Sequence, residues 1–179
     1  MEIESTLKAV SMLIGIVGGL IAAFKAITEM KHNLAQRKTE HRWKQTAQAK
    51  SFIDEIKKDQ KASDALQMLD WSGRTYQIKE GVFEEITFDD LIEGLRTSNL
   101  SFSAKEAYIR DCFDALYDHF EMIESFIRHE FIVFEDVSAP LEYYMAVIRS
   151  KSYHEAFIKE YGYSLALKFI SRFGLDSGK

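Results

Sequence analysis

At 179 residues the chain is long enough for one sizeable core and an attached segment. Its single cysteine, Cys112, excludes an intrachain disulfide and fits a reducing compartment; one proline among long periodic stretches argues against a sandwich or barrel. The net charge of −5 is unevenly spread: residues 31–50 carry six Lys and Arg against Glu40 alone, net +5, and residues 51–179 carry 15 Lys and Arg against 24 Asp and Glu, net −9. Such asymmetry marks a partner for the basic neck.

The first predicted element is apolar. Between Lys8 and Lys25 stands AVSMLIGIVGGLIAAF, 16 residues without a charge. Leu7 to Ile27 counts 21 residues, and at about 1.5 Å rise per residue such a helix spans roughly 31 Å, matching a bilayer's hydrocarbon core. A buried core helix and a cleaved signal peptide are the alternatives. Glu2 and Glu4 precede Lys8 and no small-residue cleavage site follows, so residues 1–28 are expected to be a retained, single-pass transmembrane anchor in the lipid bilayer. Lys25, Lys31, Arg37 and Lys38 crowd its C-terminal flank, which places the C-terminal domain in the cytoplasm. Within the span, Ser11, Gly15, Gly19 and Ala23 recur every four residues, with Gly18, Ala22 and Ala26 on the adjoining face. Small residues at this spacing let helices approach closely in lipid. One ladder suits a dimer; two neighbouring ladders suit a homo-oligomeric ring.

Residues 29–50 are the basic juxtamembrane helix. The stretch from Thr28 to Trp71 has no Gly or Pro and reads as one long helix or two collinear ones. Its first half has few apolar anchors, Met30, Leu34 and Trp43, so its cations are expected to face anionic lipid, or nucleic acid in the other reading.

Residues 51–179 form the helical body. Phe52, Ile56, Leu66 and Leu69 begin its core, and RTYQIKEGVFEEITF alternates partly about Glu80-Gly81 as a short hairpin or loop. Thr87 caps a short helix from Phe88 to Leu95, with Asp89 and Asp90 in its first turn. Ser103-x-x-Glu106 is a capping box opening the longest helix of the body, to about His129. Its core stripe is Ile109, Phe113, Leu116, Phe120, Ile123 and Ile127, while Asp111, Asp114, Asp118 and Glu121 make a solvated acidic row. Ser138 is expected to cap the next helix, with Pro140 in its first turn and Leu141, Tyr144 and Ile148 inward. A last helix runs to about Phe173 through Phe157, Tyr161, Leu165 and Phe169, although Gly162 weakens its middle. The pattern predicts an all-α bundle, and no cofactor or metal is expected.

Chemistry concentrates at RSKSYH, residues 149–154. Ser152-x-x-Glu155 is a second capping box, which sets His154 in the first turn of the last helix and Arg149 in the last turn of the previous one. A helix start disfavours imidazolium and so leaves His154 neutral. A neutral imidazole beside a guanidinium suits metal-free RNA cleavage: the ring takes the 2′-hydroxyl proton and the cation stabilises the phosphate. One pair lacks a second acid for the leaving oxygen, which a symmetric partner would supply. Equally, Arg149 could complement C-terminal carbonyls and His154 could be an exposed first-turn residue. Position alone leaves the two readings level. Other patterns fail: Val133 and Ile158 stand where a zinc-peptidase helix needs a second His, GLDSGK is one residue short of a phosphate loop, and Cys112 sits near the core stripe.

An all-α bundle carrying R-x-x-x-x-H between its last two long helices resembles the HEPN superfamily, which includes toxin and CRISPR ribonucleases. With the apolar span and the short chain, it is similar to the small membrane accessory proteins encoded beside type VI-B CRISPR RNA-guided ribonucleases. The resemblance implies an antiviral role at the bacterial inner membrane, with RNA or the RNA-guided ribonuclease complex as partner. It carries Arg149 and His154 over as functional residues. Together with the two small-residue ladders, which suggest a ring that perforates the membrane, it leads to the expectation of an oligomeric, pore-forming accessory protein; a membrane-tethered ribonuclease toxin is the alternative. The acidic body argues against autonomous RNA cleavage, because RNA binding favours a basic surface.

Overall fold

A computed structural model describes the backbone of residues 2–174 and the side chains of residues 24–174. The chain divides into two units, one up to Lys44 and one from Gln45. Seven helices and one hairpin make up the described residues: α1 (Glu2–Lys58), α2 (Gln60–Asp70), β1 (Arg74–Lys79), β2 (Val82–Ile86), α3 (Phe88–Gly94), α4 (Ala104–Arg128), α5 (Phe134–Ser150), α6 (Ser152–Glu160) and α7 (Ser164–Arg172). The chain is thus predominantly α-helical, with one antiparallel hairpin added to the expected all-α bundle.

In the first unit, residues 24–44 are exposed on every face of α1, Phe24, Met30, Leu34 and Trp43 included. Local support comes from i,i+4 pairs such as Gln36–Glu40 at 2.9 Å. Among the described residues no helix is long and apolar enough to cross a membrane. The stretch Leu7–Ile27 expected to do so lies largely outside the residues whose side chains are described, as do Ser11, Gly15, Gly18, Ala22 and Ala23. Gly19 is described, and a Cβ there would come within 4 Å of nothing beyond its own helix among the described residues.

The second unit is built around α4, on which α2, α3 and α7 all pack. Its capping box forms as expected, with Ser103 Oγ accepting from Glu106 N–H and Glu106 accepting from Ser103 N–H. Five residues of the predicted stripe, Ile109, Phe113, Leu116, Phe120 and Ile123, are fully buried, and Ile127 packs at the margin. The short helix α3 has the expected Thr87 cap, closed into a box by Asp90. It approaches α4 closely: a Cβ at Gly94 would lie 2.8 Å from Ile109 Cγ2. β1 and β2 pair across Glu80-Gly81, with Gly81 at φ 71°, and turn Tyr76 and Ile78 inward.

Of the two readings of Thr28–Trp71 the structure has two helices, and three other local expectations need correction. α1 ends at Lys58 because Asp59 leaves the helical region (ψ 111°) and caps α2 through Lys61 and Ala62 N–H. α5 starts at Phe134, ahead of the expected Ser138 cap; the Ser138 hydroxyl instead donates to the Glu135 carbonyl, and Pro140 lies inside the helix. Ser152 is the first residue of α6 and not its cap, so Lys151 alone links α5 to α6. The last helix is two helices. Gly162, at φ 79°, stops α6 with a Schellman bond from Tyr163 N–H to the Ile158 carbonyl at 3.0 Å. The break changes the inward set: Phe157 and Phe169 are buried, but Tyr161 is exposed and Ala166 and Ile170 take the remaining core places.

The acidic row also departs from a purely solvated face. Asp114 is half-buried and accepts from the Tyr163 hydroxyl at 2.9 Å, and burial pushes its carboxyl up. Glu121 accepts from Leu165 N–H at 2.8 Å, serving the uncapped start of α7. Asp111 remains exposed and pairs with Lys61.

Candidate functional site

The α5–α6 corner is made by a single residue. Lys151 takes an extended conformation (φ −122°, ψ 111°), and its N–H still bonds the Ile148 carbonyl. Each helix then presents its own face to the core. On α5 that face includes Met145 and Ile148, so Arg149, about 100° further round, points outward and is exposed. On α6 the inward residues are His154, Phe157 and Ile158, spaced three and four apart.

His154 is completely buried. Its Nδ1 shares a 2.7 Å hydrogen bond with the Tyr117 hydroxyl of α4. Its ring stands 5.1 Å from Phe113 and 4.5 Å from Tyr153, centre to centre. Nε2 is buried without a partner. Burial, with a smaller contribution from Lys151, pushes the imidazole down to about 3, and burial raises the Tyr117 phenol well above its ordinary value. Both rings are therefore neutral near pH 7. The sequence placed a neutral imidazole here for a different reason: desolvation, and not the helix start, holds the proton off.

Arg149 lies on the other side of the corner. It makes no hydrogen bond or ion pair among the described residues, and its guanidinium occupies the space beside Gly174, where a Cβ would come within 2.9 Å of Cζ. With Glu155 it rims a cavity of about 220 Å³ whose apolar wall is Ile148, Ile158, Leu167 and Ile170. Glu155 is paired with Lys159 at 2.5 Å, so among the described residues the Arg149 guanidinium is left without an ionic partner at the rim. His154 does not line this cavity. The structure thus brings Arg149 and His154 to one corner of the chain but turns their side chains to different surroundings.

The arrangement can hold an anionic group on Arg149 above an apolar wall. It cannot deliver that group to an imidazole sealed behind Tyr117 and Phe113, and a base near pKa 3 has little drive to take a hydroxyl proton. Among the described residues no cluster of three or more His, Cys, Asp or Glu is placed to hold a metal ion. Cys112 is fully buried and its thiol is pushed up to about 12 by desolvation, which makes it a packing residue.

Two buried carboxylates escaped the sequence reading. Glu124, nearly inaccessible on α4, accepts a fork from Arg172 of α7, Nε at 2.7 Å and Nη2 at 2.8 Å. Asp64 of α2 accepts from the Tyr108 hydroxyl. The available signal was position: Glu124 follows Ile123 on the edge of the core stripe, and Asp64 falls between Ala62 and Leu66. Comparison with known proteins finds no matching family, no similar curated protein and no similar solved structure.

Proposed function

We propose that this chain is a membrane-anchored, oligomeric HEPN-like accessory protein that enhances CRISPR RNA-guided antiviral defence at the bacterial inner membrane, and that it does so without cutting RNA itself. The observation that carries the choice between accessory and toxin is the burial of His154. A ribonuclease needs its imidazole beside the substrate, whereas here the ring is fully enclosed and bonded to Tyr117. Arg149 supplies an exposed cation, without an ion pair among the described residues, that suits contact with a carboxylate or phosphate on a neighbouring subunit or partner. Support for the anchor comes from the 21-residue, largely apolar stretch Leu7–Ile27 and the cations that follow it, and support for a perforating ring from the two small-residue ladders.

The test pairs two assays on the same material. Cells carrying the RNA-guided ribonuclease, with and without this chain, are challenged with phage, and the purified chain is incubated with single-stranded RNA in chelator. Added protection without cleavage is expected, and membranes should retain the chain through a carbonate wash. Metal-independent cleavage that is lost in a folded His154→Gln variant would overturn the accessory reading in favour of the toxin. Release by carbonate would end the anchor.

A further inference from the structure

A second cavity, of about 430 Å³, opens between α2, β1 and α4, away from the Arg149 corner. Its size is that of a small-molecule site. The residues that matter are Asp64 and Gln67 from α2, Arg74 and Tyr76 from β1, and Tyr108 from α4. Asp64 is only 5% exposed; one carboxylate oxygen accepts from Gln60 Nε2 at 2.8 Å and the other from the Tyr108 hydroxyl. Each oxygen keeps a lone pair for a further donor. Tyr76 is 4% exposed, yet its buried hydroxyl has no hydrogen-bond partner. Leaving such a group unpaired costs stability, which is tolerable where a ligand completes the bond. Arg74, exposed, makes no hydrogen bond or ion pair among the described residues.

The charges are of opposite sign within one cavity. Burial pushes the Tyr76 phenol up to about 12, with Arg74 lowering it and Asp64 raising it, so both charges are felt at that hydroxyl. A simple cation would be drawn to Asp64 but repelled by Arg74, and a simple anion would meet the reverse. A molecule carrying both charges, aligned against those of the wall, is favoured at each end.

We propose that this cavity binds a small zwitterion of the free amino acid type, its ammonium donating to Asp64 and the Tyr76 hydroxyl and its carboxylate accepting from Arg74. The half-buried Gln67 carboxamide, with a donor and an acceptor, favours a polar side chain on the ligand. This assignment is independent of any role in defence.

Thermal unfolding of the full-length chain in millimolar concentrations of each common free amino acid tests it, followed by calorimetric titration of the best. One or a few should raise the midpoint. The corresponding amine and the corresponding carboxylic acid should each bind about tenfold more weakly or worse than the amino acid. Asp64→Asn and Arg74→Ala should weaken binding by about tenfold or more. Tyr76→Phe should weaken it several-fold while keeping or raising the ligand-free midpoint, since the orphan hydroxyl is gone. That variant keeps the test sharp should Asp64→Asn fold poorly. The proposal is overturned if no amino acid moves the midpoint, if the amine alone binds as tightly, or if Tyr76→Phe binds like the wild type.

Discussion

Arg149 and His154 stand five residues apart and have opposite fates: one exposed guanidinium with no hydrogen bond or ion pair among the described residues, one imidazole with no exposed surface. The difference comes from the helices that carry them. Arg149 follows the last core residue of α5, and His154 opens the core stripe of α6, with Phe157 and Ile158 below it. A spacing in sequence does not set a meeting of side chains once a sharp turn at Lys151 separates two helices. The pair therefore acts as two residues, one for the fold and one for the surface, and substitutions should separate them.

The largest separation should appear in stability. His154→Ala empties a ring-sized space between Phe113, Tyr117 and Tyr153 and leaves the buried Tyr117 hydroxyl without its partner. Loss of a buried ring costs about 3 kcal/mol or more, and the stranded hydroxyl adds to it. Urea unfolding should record a drop of that size; a change under about 1 kcal/mol would show that the ring is not held as described.

A smaller effect, of the same origin, should follow pH. The folded His154 titrates near 3 against 6.5 for a free imidazole, so between those values the unfolded chain binds a proton that the folded chain refuses. Stability attached to this group is complete above 6.5 and falls as the pH drops, by up to about 1.4 kcal/mol for each pH unit. Asp114 and Asp118 work in the opposite sense: burial raises both, so the folded chain takes their protons first and gains stability as acid is added. Both carboxyls are equally present in a His154→Gln variant, so the difference between the two slopes below 6.5 belongs to the imidazole. There the wild type should lose stability on acidification faster than His154→Gln; equal slopes would place the ring in contact with solvent.

The same contrast shows what the residues disclosed in advance. Ile109 to Ile123 are legible because about four turns of unbroken periodicity, opened by Ser103 and Glu106, leave no competing register. Thr87 was legible through its own cap and the acidic turn after it. Three features were obscured by good helix formers around them. Asp59 breaks a run free of Gly and Pro by turning its carboxylate onto the Lys61 and Ala62 N–H groups in the first turn of α2. Val133 starts α5 without a side-chain cap, leaving Glu135 and Asp136 as the only signal. Gly162 carries two meanings in sequence, a weak point within a helix or its stop; as a stop it removes Tyr161 and Leu165 from the stripe and leaves His154, Phe157 and Ile158 as the inward face of α6. The buried acids were illegible for another reason: Glu124 and Asp64 are tolerable inside only because Arg172 and Tyr108, 48 and 44 residues away, reach them.

Arg149→Ala should have the smallest effect on the fold and is the sharper probe of function. The guanidinium makes no hydrogen bond or ion pair among the described residues, and its removal exposes no buried partner. Its unfolding free energy should match the wild type within about 0.5 kcal/mol. If Arg149 serves a contact with a subunit or partner, protection against phage is nevertheless lost at unchanged chain abundance. Loss of protection in His154→Ala would instead track falling abundance, since a drop of a few kcal/mol feeds unfolded chain to cellular proteases. Measuring abundance and protection together in both variants distinguishes the two causes. Should Arg149→Ala fall in abundance as His154→Ala does, the guanidinium holds the fold together and the division of labour drawn from the corner is wrong. Should it keep both abundance and protection, the exposed cation has no part in defence.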